Sequence, residues 1–172
     1  MEKGYIQIYT GDGKGKTTAA IGLSIRAAGA GLSVFMAQFL KKSKYSEIKG
    51  LERFSDRIAI EQFGTGKYVR GEPAPEDIAA AKKGFSAARS ALLSGKYDMV
   101  ILDEICVALF FKVLSEDAVL GLMDEKPDGV ELVLTGRKCP DAIMDRADLV
   151  TEMRAVKHYY DEGVLARIGI EN

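Results

Sequence analysis

The stretch Thr10-Gly11-Asp12-Gly13-Lys14-Gly15-Lys16-Thr17-Thr18 carries the clearest chemical signal in the chain. Three glycines let a backbone curl around an anion with its N–H groups pointing inward. A helix opening at Lys16 adds the positive end of its dipole. Lys16 can then reach outer phosphates, and the Thr17 hydroxyl can ligate magnesium. The match to GxxxxGK[ST] is loose, because Thr10 takes the first glycine position and glycine arrives at Gly11. A glycine-rich turn before a helix is often only structural. The Gly-Lys-Thr order, the strand before it and an acidic partner downstream favour phosphate binding.

That partner is Asp103-Glu104, directly after the apolar run Met99 to Leu102. A buried strand ending in Asp-Glu sets carboxylates at the carboxyl edge of a sheet, where ligands bind in open α/β folds. One of the two can hold a metal, directly or through water. The competing role is a cap for the next helix. Together the two motifs point to ATP or a related magnesium–nucleotide complex.

Alternating elements must position these groups. Tyr5 to Thr10 is a strand candidate, and Lys16 to Ala30 a helix ending at Gly29 and Gly31, where a left-handed residue is needed. Val34 to Phe39 has strand length and Ile58 to Phe63 is a weaker candidate. Lys41 to Arg57 holds six basic and three acidic residues, a net charge of +3, and reads as a solvated loop or short helix. A loop runs from Gly64 to Pro75. Glu76 to Ser94 is an amphipathic helix with Ile78, Ala81, Phe85, Ala88 and Leu92 on one face, weakened mildly by Gly84. Met99 to Leu102, Val130 to Thr135 and Leu149 to Thr151 are expected as buried strands. This order predicts a single α/β domain over residues 1–172, with a mainly parallel sheet and helices on both faces.

Composition excludes several classes. The 172 residues are 47% hydrophobic and 28% charged, with a net charge of −1, so neither disorder nor a globally basic nucleic-acid binder fits. The longest apolar run, Ile105 to Phe111, is too short to span a bilayer. The N-terminus does not read as a signal peptide, so cytoplasmic residence is expected. Cys106 and Cys139 sit in unrelated contexts without CxxC spacing, which argues against a disulfide framework. A single histidine, His158, rules out a multi-histidine metal site.

Beyond the loop, the chain resembles the P-loop type of ATP:corrinoid adenosyltransferases over nearly its whole length. The landmarks are Thr10 to Ala20, Ala37-Gln38-Phe39, Gln62-Phe63-Gly64-Thr65-Gly66, Tyr97 to Glu104, Leu134-Thr-Gly-Arg137, Ala147 to Met153, and Val156 to Val164 leading to Ile168-Gly-Ile170. The resemblance implies a RecA-like P-loop fold and transfer of the 5′-deoxyadenosyl group of ATP to the cobalt of a reduced corrinoid, with inorganic triphosphate leaving. Cobalt(I) is itself the nucleophile, so the protein must position ATP and neutralise the triphosphate. Carried over residue by residue, Gly11, Asp12, Gly13, Lys14, Gly15, Lys16, Thr17 and Thr18 form the cradle, with Asp12 near the nucleoside. Thr17 and Glu104 hold Mg2+, Asp103 supports that shell, and Arg137 contacts nucleotide or phosphate. Lys16, Thr17 and Glu104 are then the catalytic group. A homodimer and a reduced flavoprotein donor are the family expectation, with neither a nucleic-acid nor a membrane partner.

The resemblance departs at one place. Familiar members follow the Gly-x-Gly segment with Phe and, two residues on, Trp, which crowd the lower corrin face and expel its axial ligand. Here Gly64-Thr-Gly66 precedes Lys67, Tyr68 and Val69, and the chain has no Trp. Tyr68, with Phe63, Gly64 and Val69 around it, is the expected substitute at the corrinoid site. Only four residues precede the first strand, so an N-terminal lid is not expected, and Lys41 to Arg57 or the C-terminal segment could close the site instead. Alternatives are a P-loop kinase or NTPase, which would yield ADP, a corrinoid carrier without turnover, and more distantly a small RecA-like DNA-interacting ATPase.

Overall fold

The computed structural model describes residues 1–43, 45–67, 69 and 71–171. Six strands form the sheet: β1 (Ile6–Thr10), β2 (Val34–Phe39), β3 (Ile58–Phe63), β4 (Met99–Asp103), β5 (Glu131–Thr135) and β6 (Leu149–Glu152). Their order is β3-β2-β4-β5-β1-β6, and every pairing is parallel. The helices are α1 (Lys16–Gly29), α2 (Ser46–Leu51), α3 (Pro75–Leu93), α4 (Ile105–Phe110), α5 (Glu116–Asp124) and α6 (Asp141–Asp145). The expected α/β architecture is what the chain adopts, and β5 separates the loop strand β1 from the acidic strand β4.

Strand alternation builds two cores. Val34 and Met36 of β2, Met99 and Ile101 of β4 and Val133 of β5 face α1, which offers Ala20 and Ala27. Phe35, Ala37, Phe39, Val100, Leu102, Leu132 and Leu134 face the opposite layer of α3, α4 and α5. Both faces of the central strands are therefore apolar, and each fully buried Leu or Ile contributes roughly 1.5–3 kcal/mol. Gly31 takes a left-handed φ of 82° just past α1, as the helix stop requires. Gly84 in α3 has a packing reason: a Cβ there would sit 2.6 Å from the Phe63 ring.

One expectation changes. The strand at Leu149 is not buried. It is the outer edge of the sheet beside β1, and Leu149 and Val150 are 44% and 43% exposed. Cys106 and Cys139 are free thiols, and the start of α4 and the β5–α6 loop bring them near each other. Gly136 permits this approach, since its Cβ would fall 2.9 Å from that of Cys106.

Candidate active site

The loop strand β1 and the acidic strand β4 both end at the carboxyl edge, and α1 starts there. The Thr17 hydroxyl donates to Asp103 Oδ1 at 2.8 Å. Thr135 Oγ1 donates to the same oxygen at 2.7 Å. Gln38 Nε2 donates to Asp103 Oδ2 at 3.1 Å, and Lys41 Nζ to that oxygen at 2.8 Å. Asp103 is fully buried, and these four donors occupy both of its oxygens. Gln62 Nε2 donates to Gln38 Oε1 at 2.9 Å and extends the polar chain toward the sheet edge.

Glu104 stands beside this cluster with a left-handed φ of 63°, and its N–H donates to Thr135 Oγ1 at 3.0 Å. Leu40 and Lys138, at φ 57° and 58°, are left-handed too, next to Lys41 and Arg137. Such backbones cost about 1–3 kcal/mol each and gather where side chains must be aimed. Burial and the neighbouring Asp103 charge push the Glu104 carboxyl above its ordinary range. Burial opposes the charge on Lys41, but the Asp103 carboxylate overcomes it and holds Lys41 above its usual pKa.

The phosphate loop is closed by its own lysine and by the C-terminal chain. Lys16 Nζ donates to the carbonyls of Gly11 and Gly13 at 2.6 and 2.7 Å. Burial, then the Arg137 charge, lowers the Lys16 pKa. Met153 N donates to Thr10 O at 2.8 Å, and Gly13 N donates to Met153 O at 2.6 Å. A Cβ on Gly11 or Gly13 would meet Met153 O at 2.5 or 2.7 Å. These two glycines are therefore fixed by the backbone that crosses them as well as by any anion.

A cleft of about 690 Å³ opens here. It is lined by Gly13 to Thr18, Lys41, Tyr45, Glu47, Glu104 and Arg137, and by His158 and Gly169 to Glu171 of the C-terminal segment. The structure thus brings Gly13, Lys14, Gly15, Lys16, Thr17, Thr18, Glu104 and Arg137 together, while Gly11 and Asp12 lie outside the lining. Phe63 is built into the core against Phe39, Gly64 presses on the Leu40–Lys41 backbone, and Val69 is half-buried. Tyr68 lies outside the described residues. Lys41, Gln38 and Thr135 join the site on Asp103 although no motif in the sequence marks them.

A magnesium ion wants hard oxygen ligands and keeps several waters, using one or two carboxylates plus substrate phosphates. Thr17, Asp103 and Glu104 supply that chemistry, and the Lys41 ammonium already stands among them as a cation. Among the described residues no group of three or more His, Cys, Asp or Glu could hold a metal ion by itself.

The family model for the ATP:corrinoid adenosyltransferases BtuR/CobO/CobP matches residues 2–172. The chain belongs to the corrinoid adenosyltransferase family. The Corrinoid adenosyltransferase of Escherichia coli K12 is 35% identical over 170 residues, covering 99% of this chain and 86% of that one. The Corrinoid adenosyltransferase CobA of Salmonella typhimurium LT2 is 34% identical, with the same coverage. In fold alone the chain is similar to the flagellar accessory protein FlaH of Methanocaldococcus jannaschii, with TM-score 0.58, 14% identity, and 88% and 72% of the two chains covered. Among the described residues of this corrinoid adenosyltransferase, no helix is long and apolar enough to cross a membrane.

Proposed function

We propose that this chain transfers the 5′-deoxyadenosyl group of ATP to the cobalt(I) centre of a corrinoid and releases inorganic triphosphate, in making or salvaging adenosylcobalamin. The observation that carries this is the 2.8 Å bond between Thr17 and Asp103 at the mouth of a glycine loop, in a chain of this family. Gly13 to Thr18 line the triphosphate cradle, with backbone N–H groups offered from Lys14 onward because Met153 O holds the Gly13 N–H, and Gly11 and Asp12 shape the loop's entry. Lys16 leaves the carbonyls of Gly11 and Gly13 for the phosphates, so its charge meets the negative charge that develops on the leaving group. Arg137, exposed in the same cleft, adds a second cation. Thr17 and Glu104, backed by Asp103, would hold Mg2+, which when bound neutralises phosphate charge.

The nucleophile is the substrate's cobalt, which needs no base from the protein. That suits a cleft that gathers Lys14, Lys16, Lys41 and Arg137 around the loop and whose histidine, His158, accepts the Tyr160 N–H at Nδ1. Tyr68 and the half-buried Val69 are the proposed corrin-facing residues, with Phe63 behind them in the core and Gly64 at the turn onto Lys41. The remaining parts of the reading are one domain over residues 1–172, a homodimer, a reduced flavoprotein donor and a cytoplasmic location. The exposed outer edge of β6 supports pairing with a second copy, and sedimentation measures it.

Anaerobic incubation with ATP, magnesium and chemically reduced corrinoid tests the reaction. A light-sensitive alkylcobalt spectrum is expected. An unchanged cobalt spectrum with ADP and orthophosphate as products would point to a kinase or NTPase instead.

A further inference from the structure

Lys41 begins a stretch whose composition is that of a solvated surface, yet its side chain is only 18% exposed. Its ammonium lies 2.8 Å from Asp103 Oδ2 and donates to Thr17 Oγ1 at 3.2 Å. The backbone is bent to aim it there. Leu40 is left-handed at φ 57°, and its N–H donates to Phe63 O at 2.9 Å. Gly64 has no Cβ, which would otherwise sit 2.6 Å from both Leu40 C and Lys41 N. A left-handed leucine and an obligatory glycine are a high local cost for a lysine that only decorates a surface.

The two oxygens that Lys41 touches border the position a divalent cation would take on Thr17 and Glu104, with Asp103 behind it. An ammonium and a metal ion cannot share that position. Lysine is a compact charge on a flexible four-carbon stem, so it can leave without moving the backbone. The same cleft holds the phosphate loop, and the Tyr45 ring lies 5.9 Å from the ammonium on the cleft wall.

We propose that Lys41 is a movable counter-charge, which neutralises Asp103 in the protein alone and turns onto the triphosphate when a magnesium–nucleotide complex settles on Thr17 and Glu104 with Asp103 behind them. This rests on the cleft being the ATP site. One side chain then does two things. It guards the acidic pair against cations that arrive without nucleotide, and it delivers positive charge to the polyphosphate as the metal settles in front of Asp103. Metal and nucleotide are thereby made to bind together.

The test uses the full chain, as wild type, Lys41→Gln and Lys41→Arg. Manganese binding without nucleotide is read by electron paramagnetic resonance, and inorganic triphosphate binding in the presence of magnesium by calorimetry. Lys41→Gln keeps an N–H donor for Asp103 but removes the charge. It is expected to bind manganese about tenfold more tightly and triphosphate about tenfold more weakly. Lys41→Arg is expected to stay close to wild type in both. Unchanged manganese affinity in Lys41→Gln, unchanged triphosphate affinity, or an arginine variant that behaves like the glutamine one would each overturn the proposal. If Lys41→Gln does not fold, the Lys41 ammonium resonance of the wild type, assigned by its loss in Lys41→Arg, must shift on adding magnesium and triphosphate together; a resonance that stays put overturns the proposal. Wild-type protein that binds neither ATP nor triphosphate would instead overturn the assignment of the cleft, and the proposal with it.

Discussion

The Thr17 hydroxyl, at the second residue of α1, and the Asp103 carboxylate, at the last residue of β4, are joined by a 2.8 Å hydrogen bond across 86 residues of sequence. This bond ties the phosphate loop to the acidic strand although β5 and β1 separate that strand from the sheet's edge. Asp103 is the hub, because Thr135, Gln38 and Lys41 converge on it as well.

Asp103→Ala should therefore be costly to the fold. It leaves the Lys41 ammonium without its buried partner and removes the acceptor for two hydroxyls and an amide. Breaking a buried charge pair on one side costs about 3–5 kcal/mol. A melting temperature lower by roughly 6–20 °C is expected for a chain of this size. A melting curve equal to wild type would show that the hub holds nothing together.

Lys16→Ala is expected to behave in the opposite way. The lysine bonds only the carbonyls of Gly11 and Gly13 and fills no apolar core. ATP binding should weaken and transfer should be lost, while the melting temperature shifts by only a few degrees. Calorimetry with ATP beside a thermal melt separates the two effects. Retained transfer would mean that the loop is not the triphosphate site.

Gly13→Ala should free the C-terminal segment. Its Cβ would sit 2.7 Å from Met153 O and 2.8 Å from Arg154 C, so the crossing backbone must move. Faster proteolytic cleavage near Lys157 is expected, together with weaker ATP binding. Cleavage at the wild-type rate would show that the strand end tolerates the methyl group.

The C-terminal segment carries its own acid-resistant clasp. Arg167 and Tyr159 hydrogen-bond Glu171 and pull its carboxyl down to about 2 from an ordinary value near 4.5. A depressed carboxyl contributes its full stabilisation above the unfolded value, and that contribution is lost as pH falls through about 2. The segment should stay docked through mild acid. Carbon NMR of the Glu171 carboxyl between pH 6 and 2 measures this. A midpoint near 4.5 would show that the clasp does not form.

Tyr68→Ala probes the place where the chain departs from its family's aromatic pattern. Adenosylation from cobalt(II) with a biological reductant should slow at least tenfold, as expected when about 1.4 kcal/mol is lost at the electron-accepting step. Chemically prepared cobalt(I) should still react at the wild-type rate. Equal rates in both assays would remove Tyr68 from the corrinoid site.

Most of the fold was legible because the central strands are apolar on both faces and the helices have clean spacing. Met99 to Leu102 and Val130 to Thr135 could hardly be anything else. The edge position of β6 was not legible, since Leu149-Val-Thr reads alike at the centre or rim of a sheet. Lys41 was hidden by its neighbours. Lys42, Lys44 and Lys49 make the stretch look solvated. The signal that could have found it was register: Gln38 pairs with Asp103 across β2 and β4, so a lysine three residues later falls at the same carboxyl edge. The meeting of Cys106 and Cys139 depends on a helix start and a loop converging, which spacing along the chain does not encode.

The most direct test of adenosyl transfer uses ATP carrying carbon-13 at the ribose 5′ position, incubated anaerobically with magnesium, cobalt(I) corrinoid and the protein. Adenosyl transfer puts the label in a cobalt-bound methylene, with one inorganic triphosphate released for each. Label remaining in ADP, with orthophosphate as the other product, would contradict it.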